Sequence, residues 1–174
     1  KEQAVALAKA LSAKRRTTAA EFETRVMEEL RFLDMPGVVF QAQRTRCPLN
    51  ASGCDEIHFL ISVNPGETPK PISKIASGGE LSRIMLAIKT GLSGKGSTDT
   101  MIFDEVDTGI SGSAAQKVGQ KLKETARSAQ VLCVTHLAQI AAMADAHFRI
   151  QKEVHDGKTF THVTPLSFEE RTQE

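Results

Sequence analysis

Through the first 34 positions, Ala19, Phe22, Val26, Leu30 and Leu33 recur at three- and four-residue steps, with Glu21, Glu23, Arg25 and Glu28 between them. That spacing predicts an amphipathic helix, and Val5, Ala8 and Leu11 extend it as a thinner stripe ahead of Lys14-Arg15-Arg16. Met35-Pro36-Gly37 ends the helix, because proline removes an amide donor and disfavours a helical residue before it. Residues 38–46 and 56–63 read as strands; in the second, Ile57, Phe59, Ile61 and Val63 alternate with more polar neighbours. Residues 64–71 hold three of the six prolines and read as a loop. From residue 72 short apolar runs alternate with amphipathic helices. Leu81, Ile84, Met85, Ile88 and Leu92 mark one helical face, and Ala114, Val118, Leu122 and Ala126 mark a second. Residues 101–103 and 131–134 are short buried strands, 137–144 is helical, and 148–154 with 160–166 form a hairpin around Asp156-Gly157. Apolar strands alternating with helices predict an α/β fold with a mainly parallel sheet flanked by helices. The two segments ahead of it form a small antiparallel side sheet.

Composition narrows this picture in three ways. The 22 Lys and Arg against 21 Asp and Glu leave a net charge of +1, which argues against a dedicated basic glove for nucleic acid. Lys14-Arg15-Arg16 accordingly reads as a solvated helix face. The three cysteines, Cys47, Cys54 and Cys133, cannot all pair and form no close metal-ligand pair, so they fit a reducing cytoplasm. Cys133 lies in an apolar run and reads as a buried thiol. No apolar stretch approaches the ~18–20 residues of a membrane span. The opening Lys-Glu-Gln-Ala-Val has no initiator Met and no signal layout, so a longer parent polypeptide is expected.

Three short motifs carry candidate chemistry. Ser77-Gly78-Gly79-Glu80-Leu81 opens a helix. Ser77 with Glu80 three residues on satisfies a capping box. Two successive glycines exceed what a cap needs, and they allow another backbone or a phosphate to come close to a helix N-terminus. Apolar residues 101–103 then run into Asp104-Glu105, the pattern of the Mg²⁺-holding acidic strand of P-loop hydrolases. Asp104 would hold Mg²⁺ and Glu105 would polarise an attacking water. Asp107 could cap the following turn or reach a partner subunit. Finally, residues 131–134 lead into Thr135-His136, and in a parallel sheet His136 shares an edge with Asp104 and Glu105, where it could donate to a γ-phosphate oxygen. The tract at 91–98 is not a P-loop: its Gly, Lys and Ser spacings fail the required pattern, and it precedes a strand rather than following one. His58, His147, His155 and His162 have no metal-ligand spacing.

Together these residues resemble the C-terminal half of an ABC/SMC-type P-loop ATPase head. Ser77–Leu81 looks like the signature motif, 101–105 like Walker B, and His136 like the switch histidine. The longer runs 75–88, 103–112 and 134–145 are similar to the RecN family of bacterial SMC-like DNA double-strand-break repair ATPases. One departure is that the D-loop aspartate of many such heads is replaced by Ser111, so that role spreads over the stretch from Asp107 to Ser111.

The resemblance implies residues 1–34 as the end of a coiled-coil arm and 35–174 as the C-terminal lobe of the head, with a Walker A lobe far upstream. It also implies two heads sandwiching ATP and Mg²⁺. Ser77, Gly78, Gly79, Glu80, Asp107 and Ser111 would face nucleotide, Asp104 would hold the metal, and Glu105 and His136 would serve catalysis. DNA would contact the full assembly, in the bacterial cytoplasm at the nucleoid. The other readings are the head of another SMC, RecF-like or transporter ATPase, or a dimerisation module whose acids are relics.

Overall fold

The computed structural model describes residues 2–75, 77–92 and 100–172. Helix α1 (Glu2–Phe32) buries Val26 and Leu30, with Leu33 just beyond its end, whereas Ala8 alone is buried in the first half. Asp34, at φ 58°, turns the chain out of the helix just ahead of Pro36. Strands β1 (Val39–Asn50) and β2 (Gly53–Ser62) pair antiparallel as expected. The two-residue strand β3 (Lys70–Pro71) joins β2 at Leu60 and Ile61, which corrects the all-loop expectation for residues 64–71. Proline is tolerated there because β3 is an edge strand.

A cluster of three phenylalanines seats α1 across this sheet. Phe22 meets Phe40 and Phe59 edge-on at 5.6 and 5.7 Å, and Phe40 stacks on Phe59 at 5.6 Å. Such pairs contribute roughly 0.5–1.5 kcal/mol each beyond the area they bury. Glu23 adds a polar tie by accepting the Ala42 amide at 2.6 Å.

Helix α2 (Gly78–Gly91) buries Ile84 and Ile88 from its expected stripe, but also Arg83, Leu86, Ala87 and Thr90, while Leu92 just beyond it is exposed. The buried arc is wider than foreseen because α2 is wedged between α1 and α3 (Gly112–Thr125) instead of lying on one sheet. On α3, Val118 and Leu122 are buried with Ala115 and Gly119, whereas Ala126 lies beyond the packed arc. Lys121 of α3 ties back to α1, pairing with Glu29 at 2.7 Å and with Glu124 at 2.8 Å, and its ammonium sits 4.8 Å from the centre of the Phe32 ring.

Strands β4 (Thr100–Phe103) and β5 (Gln130–Cys133) are parallel, in the register Met101↔Val131 and Phe103↔Cys133, with α3 as the crossover. Parallel pairing among the described residues is confined to these two strands. Their Phe103 side joins the core, but Ile102, Leu132 and Val134 on the other side are 71%, 48% and 51% exposed. Helix α4 (Ala138–Ala141) is a single turn, shorter than the 137–144 expected. The closing hairpin, β6 (Phe148–His155) and β7 (Lys158–Pro165), turns through Asp156 and Gly157, both at positive φ, as a two-residue primed turn requires. Every residue of both strands is exposed. The 91–98 tract falls largely on residues 93–99, outside the described residues. No described helix is long and apolar enough to cross a membrane.

Candidate functional site

Ser77 is the N-cap of α2, in extended conformation, and its hydroxyl accepts the Glu80 amide at 3.4 Å. The capping reading of this motif therefore holds. The glycines after it have a different reason to be there. A methyl group at Gly79 would lie 2.8 Å from Cβ and 2.9 Å from the carbonyl oxygen of Thr108, and one at Gly78 would overlap Oε2 of Glu105. The backbone that comes close to this helix start is thus the chain's own turn at residues 104–108.

That turn is clamped to α2 from several sides. Ser82 Oγ donates to the Asp104 carbonyl at 2.7 Å, and the buried Arg83 guanidinium donates to the carbonyls of Val106 and Thr108 at 3.3 and 2.7 Å. Buried carbonyls need such partners because an unsatisfied one costs about 1–3 kcal/mol. Within the turn Asp104 and Glu105 are exposed, Val106 is fully buried, and Asp104 Oδ1 accepts the Glu105 amide at 2.9 Å. Glu105 sits at φ 56°, a left-handed conformation unusual for a non-glycine residue. The strand therefore stops sharply at these two carboxylates.

Asp107 is 2% exposed in this chain. Its Oδ2 accepts the Thr135 hydroxyl at 2.5 Å and the His136 amide at 2.9 Å, and lies 3.1 Å from His136 Nδ1. Thr135 Oγ1 in turn accepts the Leu137 amide at 3.1 Å. Burial raises the Asp107 pKa, but these hydrogen bonds and the nearby imidazole outweigh it and hold the carboxyl below its ordinary value. The His136 side chain is 74% exposed. Ser111 is exposed at the N-cap of α3 and makes no capping bond through its side chain.

The carboxyl edge of β4 and β5 thus gathers Asp104, Glu105 and His136, with Asp107 beneath them and Ser77–Glu80 against the same turn. Cys133, half-buried beside this edge, has its pKa pushed up to about 11 by burial and by the charges of Asp107 and Asp104, so it is an inert thiol near neutral pH. Among the described residues, no group of three or more His, Cys, Asp or Glu is arranged to hold a metal ion. Asp104 does offer one exposed carboxylate, which suits the way Mg²⁺ is held by one or two protein carboxylates together with phosphate oxygens and water.

No protein-family model matches the chain. Known sequences match along most of it. It is 42% identical to the DNA repair protein RecN of Halalkalibacterium halodurans over 95% of this chain and 30% of that protein. Against RecN of Bacillus subtilis it is 53% identical over 72% of this chain and 22% of that protein. The chain is RecN-like. It spans less than a third of the RecN proteins it matches, consistent with the C-terminal lobe of their head. The fold agrees with this RecN-like sequence. The Smc head domain of Pyrococcus yayanosii superposes with a TM-score of 0.62 at 22% identity, over 91% of this chain and 29% of that one. An SMC ATPase chain solved in work on ATP-driven dimerization and DNA-stimulated activation gives a TM-score of 0.55 at 21% identity, covering 94% of this chain and 93% of that one.

Ser82, Arg83 and Thr135 contribute to this arrangement without having been singled out from the sequence. Arg83 carries a signal in retrospect: a charged residue directly beside Ile84 on a buried helix needs a specific set of acceptors. Thr135 carries none, because a threonine at a strand end is ordinary.

Proposed function

We propose that this chain is the C-terminal lobe of the ATPase head of a RecN-like, SMC-family protein that acts in bacterial DNA double-strand-break repair, in the cytoplasm at the nucleoid. The observation that carries the reading is the placement of Asp104, Glu105 and His136 on one strand edge, in a chain whose sequence is RecN-like and whose fold is that of an SMC head. Helix α1 is the end of the coiled-coil arm. A Walker A lobe elsewhere in the full-length protein completes each head, and the exposed apolar face of Ile102, Leu132 and Val134 supports this, since parallel strands are ordinarily covered on both faces.

In this proposal two heads sandwich ATP. The Ser77–Glu80 helix start of one head presents backbone amides to the γ-phosphate bound by the other, an anion site that needs no lysine of its own. Asp104 holds Mg²⁺, which when bound neutralises phosphate charge. Glu105 accepts a proton from the attacking water, and His136 donates a hydrogen bond to the phosphate. Bound γ-phosphate favours head association and its hydrolysis removes that preference, so ATP acts as a dimer switch.

Two substitutions in the full-length protein test this. Glu105→Gln is expected to retain ATP binding and ATP-driven dimers while losing nearly all turnover; turnover close to wild type would favour a dimerisation module with relic acids. Ser77→Arg is expected to retain nucleotide binding and to lose dimerisation, and light scattering that finds normal ATP-dependent dimers would refute the signature role.

A further inference from the structure

The buried Asp107 carboxylate binds the segment that presents His136. One carboxylate oxygen accepts the Thr135 hydroxyl and the His136 amide, and lies 3.1 Å from the His136 ring nitrogen Nδ1. Two hydrogen bonds to one buried oxygen fix the backbone that carries the histidine, and the close approach at Nδ1 orients its ring. With Nδ1 against the carboxylate, Nε2 is the nitrogen available to an outside group. The side chain is 74% exposed while its anchor is 3% exposed, so a mostly solvent-facing ring is held from below by a carboxylate that solvent barely reaches.

The anchor is itself rigidly mounted. Asp107 lies between Val106 and Thr108, whose carbonyls are the two that Arg83 of α2 holds. The β4 end is joined to the β5 end by the Val134 amide donating to the Phe103 carbonyl at 2.9 Å. A displacement of the 104–108 turn is therefore carried to the histidine through Asp107.

We infer that Asp107 is the positioning residue for His136: its two hydrogen bonds to the Thr135-His136 backbone segment and its close approach to Nδ1 hold the ring so that Nε2 faces the phosphate. This role differs from the nucleotide-facing one expected from the sequence. It rests on the reading of His136 as the phosphate donor, and the experiment separates the two.

The experiment is steady-state hydrolysis of Mg²⁺-ATP by the full-length protein, with DNA, for Asp107→Asn, His136→Ala and the double variant. The amide side chain of Asp107→Asn keeps an oxygen for Thr135 and for the His136 amide but loses the charge. Removing one preorganised donor costs roughly 10²–10³-fold in kcat, so His136→Ala is expected to lose about 100-fold. Asp107→Asn is expected to lose about 10-fold in kcat with KM for ATP within about twofold, and the double variant to be no slower than His136→Ala alone. A carboxylate with a merely structural role would lower the active fraction equally in both backgrounds, so losses that multiply overturn the proposal. Wild-type kcat in Asp107→Asn also overturns it. Wild-type kcat in His136→Ala overturns the histidine reading, and the positioning role with it. Should Asp107→Asn fail to fold, Thr135→Val removes one of the two hydrogen bonds while sparing the charge. A smaller loss, again absent in the His136→Ala background, is then expected, and an equal loss in both backgrounds contradicts the proposal.

Discussion

Adjacent glycines at the start of α2 ought to respond oppositely to the same substitution. At Gly79 a new methyl group meets Thr108 Cβ at 2.8 Å and the Thr108 carbonyl at 2.9 Å, and the Glu105 carbonyl at 3.2 Å. Carbon atoms rest at about 3.5–4.0 Å from one another, so the turn or the helix end must move by roughly 0.7 Å. That movement strains the 2.7 Å bonds from Ser82 to Asp104 and from Arg83 to Thr108. Overpacking of this kind costs about 1–3 kcal/mol, and alanine recovers up to about 1 kcal/mol of helix propensity. The net expectation for Gly79→Ala is a loss of about 1–2 kcal/mol, or about 2–8 °C in Tm for a domain of this size. At Gly78 the methyl group meets the end of the exposed Glu105 side chain, which swings aside, so Gly78→Ala should leave Tm unchanged or slightly raised. The assay is calorimetric unfolding of the full-length proteins, with hydrogen exchange at residues 104–108 as the local readout. Equal effects at the two positions, or a stabilised Gly79→Ala, would refute the close approach on which the site geometry depends.

Other consequences follow from particular contacts. Lys121→Met leaves Glu29 without its cation where α1 meets α3; because Glu29 is 20% exposed, the loss should be about 1–2 kcal/mol, below the cost of a fully buried break, and is read in urea titrations. Asp55 is raised by burial but lowered further by hydrogen bonds from Ser12 and Arg44 and by the charges of Arg44 and Arg15, so it lies below its ordinary 3.8. Its contribution is present above that value and fades as pH falls through the lower folded value. The stability gap between wild type and Asp55→Asn should therefore be constant above about pH 5 and close in more acid solution, and a gap that widens on acidification contradicts this. Cys133, with its pKa at about 11, should resist iodoacetamide at pH 8 in the folded protein, whereas rapid alkylation would place it in a different environment.

Much of the architecture was legible because it rests on periodicity. The Val26, Leu30 and Leu33 stripe marks where α1 meets the core, and the Asp156-Gly157 pair marks the hairpin turn, since each follows from local geometry alone. The arc buried by α2 was less legible, because the second helix wedged against it lies 20 residues further on and leaves no local trace. The same holds within the site. Asp104, Glu105 and His136 were readable as strand-end residues, and parallel pairing puts them on one edge. The inward turn of Asp107 was not, because it depends on a threonine hydroxyl 28 residues away. The two glycines were read as permitting a close approach, and the chain's own turn at Glu105 and Thr108 lies against them.

That last contact makes the most direct test a question of cis against trans. Gly78 touches Glu105 within one chain, whereas the account needs the Ser77–Glu80 motif of one head to act with Glu105 of the other. Full-length Ser77→Arg and Glu105→Gln proteins, each inactive alone, should be mixed and assayed for ATP hydrolysis. A shared site predicts that mixed dimers, which carry the arginine at only one of their two sites, rebuild one intact site from the two unmutated halves and restore part of wild-type turnover. A mixture as inactive as its components, with mixed dimers demonstrably formed, would place both motifs in a single head's site and contradict the account.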